Sequence, residues 1–136
     1  MNQIKTHIFD IKIYYEDTDA GGIVYHSKYL NFAERGRAEF LKNIGFTSTK
    51  IWNKYKIRFV VKCLTIKYIK SVILDEIVSV KTEATKISKA RIIFNQSIFN
   101  NKNKITDLLV EVCCININGR VARIPNDIYY SLVNKG

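Results

Sequence analysis

The stretch Ser27-Lys28-Tyr29-Leu30-Asn31-Phe32-Ala33-Glu34-Arg35-Gly36-Arg37-Ala38-Glu39-Phe40-Leu41-Lys42-Asn43-Ile44 decides the fold. Within it Tyr29, Ala33, Gly36, Phe40 and Ile44 recur at spacings of four, three, four and four, the period at which side chains line one face of an α-helix. Glu34, Arg35, Arg37 and Glu39 supply polar neighbours. Gly45 is a natural C-terminal stop, because glycine readily takes the left-handed conformation that closes many helices. Gly36 inside the helix costs about 1 kcal/mol relative to alanine, and the compensation expected is close approach of something packed against it. The spacing predicts one helix over Ser27 to Ile44 with an apolar face to cover.

The sequence on either side says what covers it. Upstream, His7 to Tyr15 is rich in isoleucine, tyrosine and phenylalanine and reads as a strand. Downstream, from Ile57 onward, the habit is strand-like. Val78, Val80 and Thr82 alternate with polar neighbours, as do Ile92, Phe94, Gln96 and Ile98, and then Val110, Val112 and Cys114 around Glu111. Turn signals fall near Ser71 to Asp75, Ser88 to Ala90, Asn100 to Lys104 and Asn118 to Arg120, so the strands are long and their links short. Between Lys62 and Lys67 the alternation slips by one residue, which predicts a bulge. Shorter helical turns are expected at Ser48 to Tyr55 and, after Pro125, at Asn126 to Val133. One long helix followed by a run of strands is an α+β arrangement, in which a single antiparallel sheet buries its core by curling around the helix. No repeat or linker divides the chain, and residues 1–136 read as one domain.

Composition narrows the function. With 47% apolar and 12% aromatic residues the chain can build a core, which excludes a disordered one. The 22 lysines and arginines against 12 acidic residues give a formal charge of +10, and excess positive charge draws anionic partners. The basic residues are nonetheless spread along the chain, without the blocks of a nucleic-acid arm. A solvated basic surface is the expectation, an anionic ligand the alternative, and nucleic acid is not expected. Cys63, Cys113 and Cys114 form no C-x-x-C and no zinc-finger spacing, so all three read as small core or near-core residues in a reducing compartment. Met1 to Asp10 has no apolar block resembling a signal peptide, and no run approaches the roughly 18 apolar residues that span a bilayer. A cytoplasmic protein without stable membrane insertion is expected.

The chemistry gathers between the first strand and the helix, at Asp17-Thr18-Asp19-Ala20-Gly21-Gly22-Ile23-Val24-Tyr25-His26. A helix N-terminus offers unpaired N–H groups and partial positive charge, which can hold a developing oxyanion when an acyl carbonyl is attacked. The paired Gly21 and Gly22 let a substrate approach the backbone closely. A carboxylate on the same loop can attack the carbonyl or deprotonate water. The plainer alternative is that Asp17 and Asp19 make turns or cap the helix. Metal ligation by Asp17, Asp19 and His26 is a minor alternative, since His7, the second histidine, sits on a separate strand.

The wider string Tyr15-Glu16-Asp17-Thr18-Asp19-Ala20-Gly21-Gly22-Ile23-Val24-Tyr25-His26, followed by Tyr29, Phe32, Glu34 and Arg37, resembles the signature of the YbgC-type acyl-CoA thioesterases, in the 4-hydroxybenzoyl-CoA thioesterase branch of the hotdog superfamily. Phe59 to Lys62, Val78 to Thr85, Phe94 to Ile98 and Arg123 to Pro125 match the same family more loosely. The resemblance implies a hotdog fold, an antiparallel sheet wrapped around one long helix, and hydrolysis of an acyl thioester to a carboxylic acid and a thiol. It implies that Asp19 is the essential carboxylate, as nucleophile or general base, with a backbone N–H near His26 polarising the carbonyl. The His26 side chain would orient the carboxylate or thioester, Glu34 would help place water, and Asp17 would organise the loop. Gly21, Gly22, Val24 and Tyr25 would meet the substrate. Lys89 and Arg91, on the turn before a strand, are candidates for the CoA phosphates, with solvated charge as their alternative. No metal or redox cofactor is implied; CoA, or the phosphopantetheine of acyl carrier protein, is part of the substrate. A homodimer or homotetramer with sites at subunit interfaces is expected. The rival from another class is a non-catalytic binding or scaffold protein, for anionic ligands or for the cell-envelope Tol-Pal system with which YbgC-like proteins are associated.

Overall fold

Strand β1 (Thr6–Lys12) opens the computed structural model, which describes residues 5–133; Met1 to Ile4, part of the segment read for a signal, lie outside it. The strand stops short of Tyr15 because the Tyr14 N–H turns away to the carboxylate of Asp17, at 3.0 Å, and a short 3-10 turn follows at Tyr15–Asp17. After the glycine-containing loop come α1 (Lys28–Asn43) and α2 (Ser48–Tyr55). Long strands follow as β2 (Arg58–Tyr68), β3 (Ile77–Ile87), β4 (Arg91–Asn100) and β5 (Asn103–Ile115), then the two-residue β6 (Val121–Ala122) and α3 (Asn126–Val133).

The strands form one antiparallel sheet in the order β1-β3-β4-β5-β2. β6 takes up the margin of β5 where β4 ends, pairing Cys114 with Ala122 just past the Arg91–Cys113 pair. β1 and β2 are the edges. The bulge expected after Lys62 lies at that residue, between Val61 and Cys63. Two more, between Ala84 and Lys86 and between Ile98 and Phe99, were not signalled by the alternation. Each adds local twist, and together they help the sheet curl.

α1 lies in the concave side, as the hotdog arrangement requires. It buries Tyr29, Phe32, Ala33, Gly36, Phe40 and Leu41 against Val78, Val80, Ile92, Phe94, Ile98 and Val110 of the sheet. Gly36 is where helix and sheet come nearest. The place a β-carbon would occupy lies 2.5 Å from Val80 Cγ1, 3.0 Å from Thr82 Oγ1 and 3.1 Å from Gln96 Nε2. Gln96, fully buried, uses the proximity: its amide nitrogen donates to the Ala33 carbonyl at 2.8 Å and to Thr82 Oγ1 at 2.9 Å, and its oxygen accepts from Arg37 at 2.9 Å. Buried polar groups are tolerated when paired in this way. The helix closes at Gly45, φ +104°, with Phe46 N–H on the Leu41 carbonyl at 2.9 Å and Gly45 N–H on that of Lys42 at 3.0 Å, a Schellman ending.

The cysteines need one correction. Cys113 and Cys114 are buried, and burial pushes the Cys114 thiol up to about 12. Cys63 is exposed, because the bulge at Lys62 sets it opposite Glu111 on the outer face of the edge strand, 3.5 Å from that carboxylate.

Candidate active site

The segment between β1 and α1 folds back on itself as a narrow finger. Asp19 N–H donates to the Ile23 carbonyl at 2.9 Å, Thr18 bridges Val24, and Tyr25 N–H donates to the Asp17 carbonyl at 2.9 Å. The tip, Ala20 to Gly22, is exposed. Gly22 sits at φ +83° with nothing within 4 Å of the place a β-carbon would occupy, so a ligand can reach the backbone there. At the tip the Asp19 carboxylate is exposed and accepts the Gly21 N–H on Oδ1 at 2.8 Å.

The two aspartates of the finger do different things. Asp17 is buried and its carboxylate accepts the Tyr14 N–H, so it holds the finger's root and is not presented to solvent. The finger is seated from behind by the segment before β3, where Val24 N–H donates to the Val72 carbonyl at 2.8 Å and Ile23 bridges Ile73. Glu76 fixes that segment, accepting Ile73 N–H at 2.8 Å and the Asn100 amide at 2.6 Å; these bonds hold its carboxyl below the usual range. Neither Val72 nor Glu76 was among the residues the sequence singled out. Only folding marks them: Val72 meets the finger at Val24, some fifty positions back in the chain, and Glu76 holds the segment that carries Val72 and Ile73.

The finger runs into the start of α1. Ser27 is the N-cap residue, yet it makes no side-chain cap, and no acidic residue occupies the first turn. Among the described residues, the His26 and Ser27 N–H groups donate to no backbone carbonyl. The helix start therefore has donors and partial positive charge to offer a ligand. The His26 ring is exposed and lies against Tyr25, ring centres 4.4 Å apart. Asp19, Gly21, Gly22, Tyr25 and His26 thus share the exposed end of one loop, while the Val24 side chain belongs to the core.

The remaining candidates stand elsewhere in the protomer. Glu34 is exposed about two turns along α1, roughly 12 Å from His26 at the helical rise of 1.5 Å per residue. With Arg37 and Val61 it lines both a cleft of about 790 Å³ and a smaller neighbour of about 200 Å³, which run between α1 and β2; Asp19 and His26 line neither. Lys89 and Arg91 sit on the β3–β4 hairpin, at the opposite end of the sheet from the finger, since the finger joins the strand ends near Lys12 and Ile77. Arg91 pairs with Glu111 at 3.2 Å.

Comparison with known proteins agrees with this fold. The family model of the thioesterase superfamily matches residues 21–106. The chain is 39% identical over 109 residues to the acyl-CoA thioesterase YbgC of Haemophilus influenzae, covering 80% of each protein. It superposes on a probable thioesterase from Bartonella henselae with TM-score 0.86 and 33% identity, covering 89% of this chain and all of that one. It also superposes on a DHNA-CoA thioesterase from Staphylococcus aureus with TM-score 0.81 and 31% identity, covering 87% of this chain and 80% of that one. With a family model over most of its length and a relative at 39% identity, the chain belongs to the thioesterase superfamily and stands with the YbgC-type members.

Proposed function

We propose that this protein hydrolyses acyl-CoA thioesters with Asp19 as the reacting carboxylate. The observation that carries the reading is the pairing of an exposed carboxylate, steadied through one oxygen by Gly21 N–H, with an uncapped helix start seven residues later. In the reaction the amides at His26 and Ser27 take up negative charge on the attacked carbonyl oxygen. Asp19 either adds to the carbonyl carbon, expelling the thiolate and leaving a mixed anhydride that water opens, or removes a proton from the water that attacks. Both routes release a carboxylic acid and a thiol. The His26 side chain orients the reacting groups, whereas Glu34, about two turns along α1 in the cleft wall, has no part in the step at Asp19 within one protomer. The names of the relatives, an acyl-CoA and a DHNA-CoA thioesterase, favour CoA as carrier, with acyl carrier protein as the second choice. Neither metal nor redox cofactor has a step in this scheme, and a cytoplasmic setting suits the substrate.

The working unit in this proposal is at least a dimer. β2 is an edge strand of 11 residues with Val61 and Tyr68 exposed, and a long exposed edge invites pairing. Antiparallel pairing of β2 with its copy about a two-fold axis would bring the second copy's Lys89 and Arg91 to the same end of the joint sheet as Asp19. The same pairing would roof the clefts beside α1, whose walls include Leu41, Ile51, Trp52, Phe59 and Phe94, a lining that suits an acyl chain. Assembly of dimers into a tetramer is a further step of the same proposal. The test is thiol release from short, long and aromatic acyl-CoAs, by wild type and Asp19→Asn, each with and without EDTA and with mass in solution measured alongside. We expect a dimer or tetramer, turnover indifferent to EDTA, and a loss of at least about 10²-fold in the variant. Near-normal hydrolysis by Asp19→Asn overturns the mechanism, and an active monomer overturns the shared site.

A further inference from the structure

Tyr68, the last residue of β2, donates its hydroxyl to the carbonyl oxygen of His26 at 2.9 Å. That oxygen belongs to the peptide that also carries the Ser27 N–H, and in a trans peptide the two groups point in opposite directions. Fixing the carbonyl therefore aims the amide, and a hydrogen bond to the oxygen polarises the N–H beyond it. The Tyr68 ring is itself held. It meets Tyr29 edge-on with centres 5.7 Å apart, Tyr29 is buried, and the His26 ring lies across Tyr68 at 6.4 Å and 88°. A residue 42 positions away in sequence thus fixes the peptide at the uncapped start of α1.

We infer that Tyr68 is a positioning residue for thioester hydrolysis, its hydroxyl holding the His26–Ser27 peptide in the orientation that receives charge from the attacked carbonyl. The inference rests on the thioesterase reading above. Tyr68 touches no reacting atom in this assignment; it acts through the peptide.

The test compares Tyr68→Phe, which keeps the ring and loses only the hydroxyl, with Tyr68→Leu, which loses both. For Tyr68→Phe we expect kcat on an acyl-CoA to fall about tenfold, less than removal of an oxyanion donor itself costs. KM should stay within about twofold and the melting temperature should be unchanged. The Ser27 amide resonance should shift in the free variant, because the partner of its peptide oxygen is gone. Full kcat in Tyr68→Phe overturns the inference, as does a loss confined to KM or seen only in Tyr68→Leu, which would mark ring packing. An unmoved Ser27 resonance overturns it irrespective of turnover. Absence of thiol release by wild type sinks the thioesterase reading and the positioning role of Tyr68 with it, whereas an active wild type with an unimpaired Tyr68→Phe sinks this inference alone.

Discussion

Asp17 and Asp19 are the same side chain two positions apart, and burial divides their work. The Asp17 carboxylate is enclosed and committed to the Tyr14 N–H, whereas that of Asp19 stands at an exposed tip. Removing the first acceptor leaves a part-buried donor without its partner, at a cost of about 1–3 kcal/mol. Asp17→Ala should therefore lower the melting temperature by several degrees, while Asp19→Asn, whose oxygen still accepts from Gly21, should leave it in place. Thermal melts of the two variants side by side check this, and an unaltered melt for Asp17→Ala would remove its role as organiser. The sequence pointed to this loop because so many of its residue types suit an acyl-transfer site at once. It also divided the labour of the two aspartates, but by likeness to a family. The physical reason, a bond from Tyr14, appears only once the chain has folded back. Tyr68 carried no signal at all, since a tyrosine ending an edge strand looks like any other strand residue.

Between elements, the decisive contact is α1 on the sheet at Gly36. A side chain there must displace Val80, whose Cγ1 lies 2.5 Å from the β-carbon position, and disturb Thr82 and Gln96 as well. Gly36→Leu should cost about 2–3 kcal/mol by overpacking, read as a fall of about 10 °C in melting temperature. An unchanged melt would show that helix and sheet are not pressed together here. The helix was legible to within a residue at each end, because its period and its glycine stop are local properties. The end of β1 was not, since Tyr14 leaves the ladder for a side chain three residues on. Of the three bulges only the one in β2 was signalled; Thr85 and the break at Phe99 lie in stretches where alternation survives on both sides. Cys63 was misplaced for the related reason that a bulge decides which face its successor takes.

The whole molecule carries a net charge of +10, which makes its acid response predictable. Hydrogen bonds from Ile73 N–H and Asn100 hold the Glu76 carboxyl below the ordinary 4.5. Arg91 above all does the same for Glu111, and Tyr55 and Lys54 do so for Asp127, whose ordinary value is 3.8. A carboxyl depressed in the folded state stabilises it fully above the ordinary value and loses that contribution as pH falls through the folded one. Protonation also removes negative charge from a chain with 22 lysines and arginines, adding self-repulsion. The melting temperature should be nearly level from pH 7 to about 5 and fall steeply below about 4.5, with the loss eased by added salt. A flat profile down to pH 3 would show that these bonds contribute nothing.

The strand order β1-β3-β4-β5-β2 has a consequence for how the protein is made. The two strands synthesised first are the two outer ones, and each is paired with a neighbour that leaves the ribosome later: β1 with β3, and β2 with β5. Asp19 and the apolar stripe of α1 are thus translated well before the floor that seats them. The local hairpins β3–β4 and β4–β5 close short loops, whereas docking β1 and β2 closes long ones at greater entropic cost. A nascent chain halted anywhere before β5 exposes the greasy side of its helix and an unpaired β2, so the finger that carries Asp19 is among the first parts written and among the last to be put in place.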